Sequence, residues 1–240
     1  MPQSLPGRMA AEIQSRRLVL RLVNLYSGLV LFGVTIALMV RARLGLSAWD
    51  VFHQGLARQT GLPFGWIVNG TGAIVLLLWI PLRQRPGFGT FSNVIIVGLA
   101  ADAALAVLPH PKPVALRAVF LAAGIVGNAV ATGLYIGAGL GPGPRDGLMT
   151  GLAGKGLSIR LARTSIEVTV LVIGWLLGGA VGVGTILYAV TIGPLAHYII
   201  PRLTVPHTGT QPGRGADSTR TRAAMPCPAP RARRCEAGRR

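Results

Sequence analysis

Two carboxylates, Asp50 and Asp146, occupy the same position in two similar stretches of the chain. Leu44-Gly45-Leu46-Ser47-Ala48-Trp49-Asp50, continuing to Gly55-Leu56-Ala57, is matched 96 residues later by Leu140-Gly141-Pro142-Gly143-Pro144-Arg145-Asp146, continuing to Gly151-Leu152-Ala153. After a one-residue slip, Gly87-Phe88-Gly89-Thr90 falls on Gly182-Val183-Gly184-Thr185, and Gly98 falls on Gly193. Self-similarity of this kind indicates an internal duplication, and the period is too long for a solenoid. Two chemistries are open to the paired aspartates. Ser47-x-x-Asp50 fits a helix capping box, and Gly143-Pro144-Arg145-Asp146 puts proline at the first helical position and a carboxylate at the third, where it suits the helix dipole. Alternatively, a Gly-rich turn leading into a half-helix offers backbone N–H groups (Gly141, Gly143) and Arg145 to an anionic substrate, or the carboxylate to a cation or proton.

Other polar residues interrupt apolar runs. Glu167 is a candidate proton or cation site by its position, with Arg163 four residues earlier as an alternative ion-pair partner on the same helical face. Asp102 superposes on His197 in the duplication, which suggests either a proton relay or two side chains snorkelling to nearby span ends. Asn69 and Asn128 are candidates for holding substrate polar groups, although they and Asn93 equally suit interhelical hydrogen bonds. His53 and Gln54 read as solvated positions. Gly154-Lys155 fails the phosphate-loop pattern, because Met149 stands where its first glycine is required and Gly156 where Ser or Thr should be. No H-E-x-x-H, G-x-S-x-G or Cys/His cluster is present, so no catalytic residue, metal site or cofactor is expected.

The elements that carry these residues follow from composition. Of 240 residues, 51% are hydrophobic and 13% charged, and the mean hydropathy is +0.54. Soluble domains average about 25% charged residues, so the chain is expected to lie in a lipid bilayer. The net charge of +17 does not mark a nucleic-acid binder, because 9 of the 24 Lys and Arg follow Pro201 and most others flank apolar runs. Cys227 and Cys235 lie in that terminal stretch and are given no structural role.

Six apolar runs are long enough to span: residues 18–40, 65–82, 88–108, 114–137, 164–181 and 185–200. Ser15-Arg16-Arg17 before the first resembles a twin-arginine export signal, but the run is long for one and has a counterpart in the second half, so it is expected to be retained. The segments after Ser47 and Gly143 are too short and polar to cross, and read as interfacial or re-entrant helices. The expected organisation is an N-terminal disordered stretch (1–15), a first membrane repeat (16–108), a linker (109–113), a second repeat (114–202) and a disordered basic tail (203–240). The fold class is therefore all-α, with six transmembrane helices in two three-helix repeats. Basic residues favour both termini inside, and an odd number of spans per half then inverts the second repeat. Gly133-x-x-x-Gly137 and Gly174-x-x-x-Gly178-x-x-x-Gly182 read as ridges for close helix packing, and a homo-oligomer is compatible with them.

Leu44-Gly45-x-x-x-x-Asp50 through Gly55-Leu56, the stretch Gly141-Pro142-Gly143-Pro144-Arg145-Asp146-Gly147-Leu148 and the two G-x-G-T turns resemble the YczE/YyaS/YitT group of bacterial multi-pass membrane proteins. The resemblance covers about residues 17–202 and implies an inner-membrane protein without an assigned activity. The first motif departs from the pattern, with Leu46-Ser47-Ala48 in place of a Gly-Pro turn. The expected function is transport of a small molecule or ion, with substrate between the two motif helices. The alternative is an accessory protein that holds partners or anionic lipid through its basic tail.

Overall fold

The computed structural model describes residues 7–156 and 158–204, and within them the chain folds into eight helices. These are α1 (Gly7–Ala42), α2 (Ala48–Thr60), α3 (Phe64–Leu82), α4 (Phe88–Val107), α5 (Val114–Gly137), α6 (Pro144–Ala153), α7 (Ile159–Leu176) and α8 (Val183–Leu203). No strand occurs among the described residues. The expected tail, 203–240, falls outside them from residue 205 onward. At the other end, α1 begins at Gly7, so the polar residues 7–15 extend the helix of the first apolar run instead of forming a separate coil. No proline interrupts the chain from Gly7 to Ala42, and once the apolar run has nucleated a helix, good helix formers such as Met9, Ala10, Ala11 and Glu12 can propagate it.

Five helices are long and apolar enough to cross a membrane: Arg17–Ala42 within α1, then α3, α4, α5 and α8. Their outward faces carry large apolar side chains, including Trp66, Ile80, Ile95, Val183 and Ile186, at more than half exposure. In water such a surface would be a severe aggregation liability; against lipid it is the natural contact. The remaining long helix, α7, has 18 residues and carries Arg160, Arg163 and Glu167, which keep it out of that group. It starts five residues before the expected fifth span because Ser158 caps it, its hydroxyl accepting from Leu161 N at 3.2 Å. It ends early as well. Gly178 adopts φ +92° and donates to Trp175 O while Gly179 donates to Gly174 O, so the helix closes there. The anticipated Gly174–Gly178–Gly182 ridge therefore does not exist as a helix face. The Gly133/Gly137 ridge does, packed against Ile199 and Leu203 of α8.

At the centre, α1 and α5 cross antiparallel. Gly28 sits against Ala131 and Leu134, and Gly124 against Thr35 and Met39, so no side chain separates the backbones. The helix ends cap one another. Arg21 Nε donates to Ala138 O at 2.9 Å, while Arg117 Nε and Nη2 donate to Ala42 O and Arg43 O at 2.7 Å each. A guanidinium satisfies carbonyls at a C-terminus that have no helical partner and complements its dipole. Buried polar groups continue the seam: Tyr188 OH donates to Asn128 Oδ1 at 3.0 Å, and Asn128 Nδ2 donates to Thr35 Oγ1 at 3.3 Å. α4 packs on α1 and α8 on α5, and each short helix lies against a long helix of the other half, α2 on α7 and α6 on α3.

The G-x-G-T turns hold the two motif loops in place. Gly184 N donates to Leu44 O at 2.7 Å and Gly89 N to Leu140 O at 2.9 Å. Thr185 Oγ1 accepts from Leu46 N at 3.1 Å, whereas Thr90 Oγ1 donates to Pro142 O at 2.7 Å. Gly45 and Gly141 lie in these clasps with φ of +120° and +132°. A Cβ at Gly45 would lie 2.7 Å from Thr185 N, and one at Gly141 would lie 2.9 Å from Thr90 Oγ1. Glycine is required at both positions on conformational and steric grounds.

Candidate functional site

The clasps turn each motif loop inward, so that α2 and α6 begin beside one another. Arg145 Nη2 of α6 lies 3.9 Å from Asp50 Oδ1 of α2, and the guanidinium sits 5.2 Å from the centre of the Trp49 ring. Both N-termini open on a cavity of about 530 Å³, to which α1, α3, α4, α5, α7 and α8 also contribute walls. Its walls are largely apolar, with Val68, Val75, Val97, Ile136, Leu171 and Ile192 among them. A mostly apolar pocket with a few polar groups is the usual form of a small-molecule site.

Asp50 is 2% exposed and lies in the first turn of α2, whose N-cap is Ser47. Ser47 Oγ accepts from Asp50 N at 3.3 Å and donates to Asp50 Oδ2 at 2.5 Å. The other carboxylate oxygen makes no hydrogen bond and faces His53 Nδ1 at 3.6 Å, also without a hydrogen bond. Burial alone would raise the Asp50 carboxyl. The adjacent His53 ring, followed by Arg145 and the Ser47 hydroxyl, outweighs it and holds the group below its ordinary value. Burial, reinforced by the Arg145 charge, likewise pushes His53 below its ordinary value, only partly offset by Asp50. His53 is thus the opposite of a solvated position: it is 2% exposed, lines the cavity and meets the Phe64 ring edge-on. Gln54 is also engaged, accepting from Ala180 N at 2.7 Å.

Asp146 is less enclosed. Its Oδ2 accepts from Tyr135 OH at 2.7 Å, and the α6 backbone is anchored by Trp79 Nε1 donating to Pro144 O at 3.0 Å. Gly143 is closely packed: a Cβ there would lie 3.2 Å from both Asp146 Oδ2 and Tyr135 OH. Beyond the first turn, Gly147 and Gly151 let α6 lie directly on the Trp79 indole and Leu82 of α3. The expected capping geometry and the expected exposure of a motif carboxylate to a binding space therefore coexist.

Of the residues singled out in the sequence, Gly143, Arg145, Asp146, Asn128, Glu167 and His197 come together on the cavity wall, with Asp50 directly behind Arg145. Glu167 is paired with Arg163 at 3.0 Å, the local alternative anticipated for it. Asp102 and Asn69 do not line the cavity. Asp102 Oδ1 accepts from Gly65 N at 2.6 Å and so caps the start of α3, which removes it from a relay with His197. Asn69 lies in the α3–α4 contact where Gly98 leaves space for its side chain. Gly141 serves the clasp instead of the cavity. Trp49, His53, Tyr135 and Tyr188 were not identified from the sequence. Only the position of Trp49 and His53 within the first motif could have pointed to them; Tyr135 and Tyr188 read as ordinary span aromatics. No cluster of three or more metal-ligating side chains occurs among the described residues.

Residues 19–201 match a protein family described as a family of unknown function, DUF6198. A Haemophilus influenzae protein described as uncharacterized is 39% identical over 183 residues, 75% of this chain and 83% of its own length. The uncharacterized membrane protein YczE of Bacillus subtilis is 33% identical over 78% of this chain and 88% of its own. The B. subtilis protein YyaS, also described as uncharacterized, is 25% identical over 72% and 89%. No solved structure matches.

Proposed function

This chain belongs to the DUF6198 family and is a membrane protein, and on that premise we propose that it is a secondary transporter or permease-like protein of the bacterial inner membrane. In this reading α7 is the sixth span. Its Arg163–Glu167 pair and its packing against α2 and α6 compensate for its charge. Residues 16–108 and 114–202 form two inverted repeats with both termini cytoplasmic. The antiparallel α1–α5 crossing, the reciprocal arginine caps and the exchanged clasps support the inversion.

One observation carries the functional reading: two half-helices from different halves of the chain point their N-termini into a single cavity. Inverted-repeat transporters place their substrate sites at this kind of junction, and rocking of one repeat against the other exposes the site alternately. Asp50, Arg145 and Asp146 are the substrate-positioning groups, and His197 and Glu167 the candidate coupling groups at the wall.

Two experiments test the reading. With Cys227→Ser and Cys235→Ser in place, single cysteines at Gln59 and Lys155 are labelled in intact cells with a membrane-impermeant thiol reagent. Inversion predicts labelling at Gln59 alone; equal behaviour of the two sites rejects it. Proteoliposomes are then offered a fractionated metabolite extract, and the expected result is uptake of a solute by the wild type that Arg145→Gln abolishes. Absence of any solute with that behaviour would favour the accessory reading.

A further inference from the structure

We propose that the cavity takes a small zwitterion of the amino-acid type carrying an apolar tail. This inference rests on the transporter reading for its physiological context, but the binding site stands apart from it. Arg145 and Asp146 are consecutive residues on the first turn of α6, and both line the cavity. Neither is spent. Arg145 makes no hydrogen bond among the described residues; its contacts are the Trp49 face and Asp50 at 3.9 Å, with a quarter of its side chain exposed. Asp146 uses one carboxylate oxygen on Tyr135, and the other accepts no hydrogen bond among the described residues. A guanidinium with five N–H donors and a carboxylate with a free oxygen, side by side on a cavity wall, present complementary partners for a carboxylate and an ammonium.

The pairing discriminates by charge. A simple anion drawn to Arg145 also meets Asp146, with Asp50 behind, and a simple cation drawn to Asp146 also meets Arg145. Only a ligand with both signs satisfies the two without a like-charge contact. The second charged pair of the cavity, Arg163 and Glu167, is closed on itself at 3.0 Å and asks for no counterpart. A polar atom beside the site is also unfulfilled. Trp49 Nε1 makes no hydrogen bond among the described residues although Trp49 is more than nine-tenths buried and lines the cavity, whereas His53 Nδ1 faces Asp50 Oδ1 at 3.6 Å. Buried N–H groups in native proteins are almost always hydrogen-bonded, so an indole N–H left over beside the cavity suits an acceptor on a ligand. The apolar remainder of the wall, including Val94, Val97 and Ile136, suits a hydrocarbon side chain.

The test uses the purified full-length protein in detergent and three probes sharing one tail: leucine, 4-methylpentanoate and 3-methylbutylamine. Valine, methionine and phenylalanine with their own acid-only and amine-only analogues extend the series. The expected result is a concentration-dependent rise in melting temperature with at least one amino acid and none with its singly charged analogues. Arg145→Lys and Asp146→Asn should each weaken that binding at least tenfold while retaining a cooperative melt. Stabilisation by an acid or amine alone, equal to that by the amino acid, overturns the inference, as does the absence of binding by every amino acid tested. Proteoliposome uptake of the binding amino acid separates the two proposals: binding without uptake rejects transport and leaves the zwitterion site standing. Uptake of singly charged solutes only does the reverse.

Discussion

At the start of α2, Asp50 is almost wholly buried among Ser47, His53 and Arg145; at the start of α6, Asp146 faces the cavity and takes one hydrogen bond from Tyr135. The two helices follow matching motifs, leave matching clasps and carry their carboxylates at matching positions. Their surroundings differ because single residues differ. Where α6 has Arg145, α2 has Trp49, and these two side chains stack on each other across the junction. Where α6 has Met149, α2 has His53. The backbone frame is common to both motifs, and the chemistry is divided between them: α2 supplies a buried, hydrogen-bonded acid and the Trp49 and His53 rings at the cavity wall, and α6 supplies the charged groups that line it.

The largest expected effect that tests this division is at Arg145. Replacing it by methionine leaves the Asp50 carboxylate buried with no cation nearby, which should destabilise the protein by about 3 kcal/mol. Asp146→Asn should cost only about 1 kcal/mol, roughly one hydrogen bond. Denaturant melts in detergent measure both, and equal losses would mean that the acids are not differently supported. Adding Asp50→Asn to Arg145→Met should recover much of the loss.

Next come the features that the two motifs share. Gly45→Ala and Gly141→Ala each force a side chain into a clasp at positive φ, and each should cost about 1–3 kcal/mol. A silent substitution at either position would break the equivalence of the clasps. Smaller still, Tyr135→Phe should lose about 1 kcal/mol in the wild type and little in an Asp146→Asn background.

The smallest effect is a pH dependence confined to α2. His53 has a folded-state proton affinity below its ordinary value of 6.5, so the unfolded chain binds the proton more readily. Stability is therefore full above about pH 6.5 and falls as the pH drops from there toward the lowered folded value. His53→Gln should flatten the melting temperature over that interval, whereas Asp146→Asn on α6 should leave its slope intact.

Part of this arrangement was legible in the sequence because similar stretches recur along the chain. The recurrence of G-x-G-T at Gly87–Thr90 and Gly182–Thr185 signalled a common device, and the paired aspartates marked two equivalent helix starts. The spans over 65–82, 88–108 and 114–137 were set by apolar length and by flanking prolines. What could not be read was long-range partnership. His53 looks solvated because its burial comes from tertiary packing, in which Phe64 of α3 meets its ring. Asp102 looks like an intramembrane titrating group because the backbone N–H that it caps, that of Gly65, lies 37 residues away. The early ending of α7 depended on the left-handed turn at Gly178, where an apolar run gives no warning.

The exchanged clasps also bear on the birth of the molecule. Leu44 leaves the ribosome 140 residues before Gly184, the residue that will hold its carbonyl. At about 5–20 residues per second the first loop waits some 7–30 s for its partner. During that interval α2, a half-length helix with Asp50 and His53 at its inner end, has no α7 to lie against. A chain stopped before α7 and α8 should therefore leave the first loop and α2 without the partners that hold them.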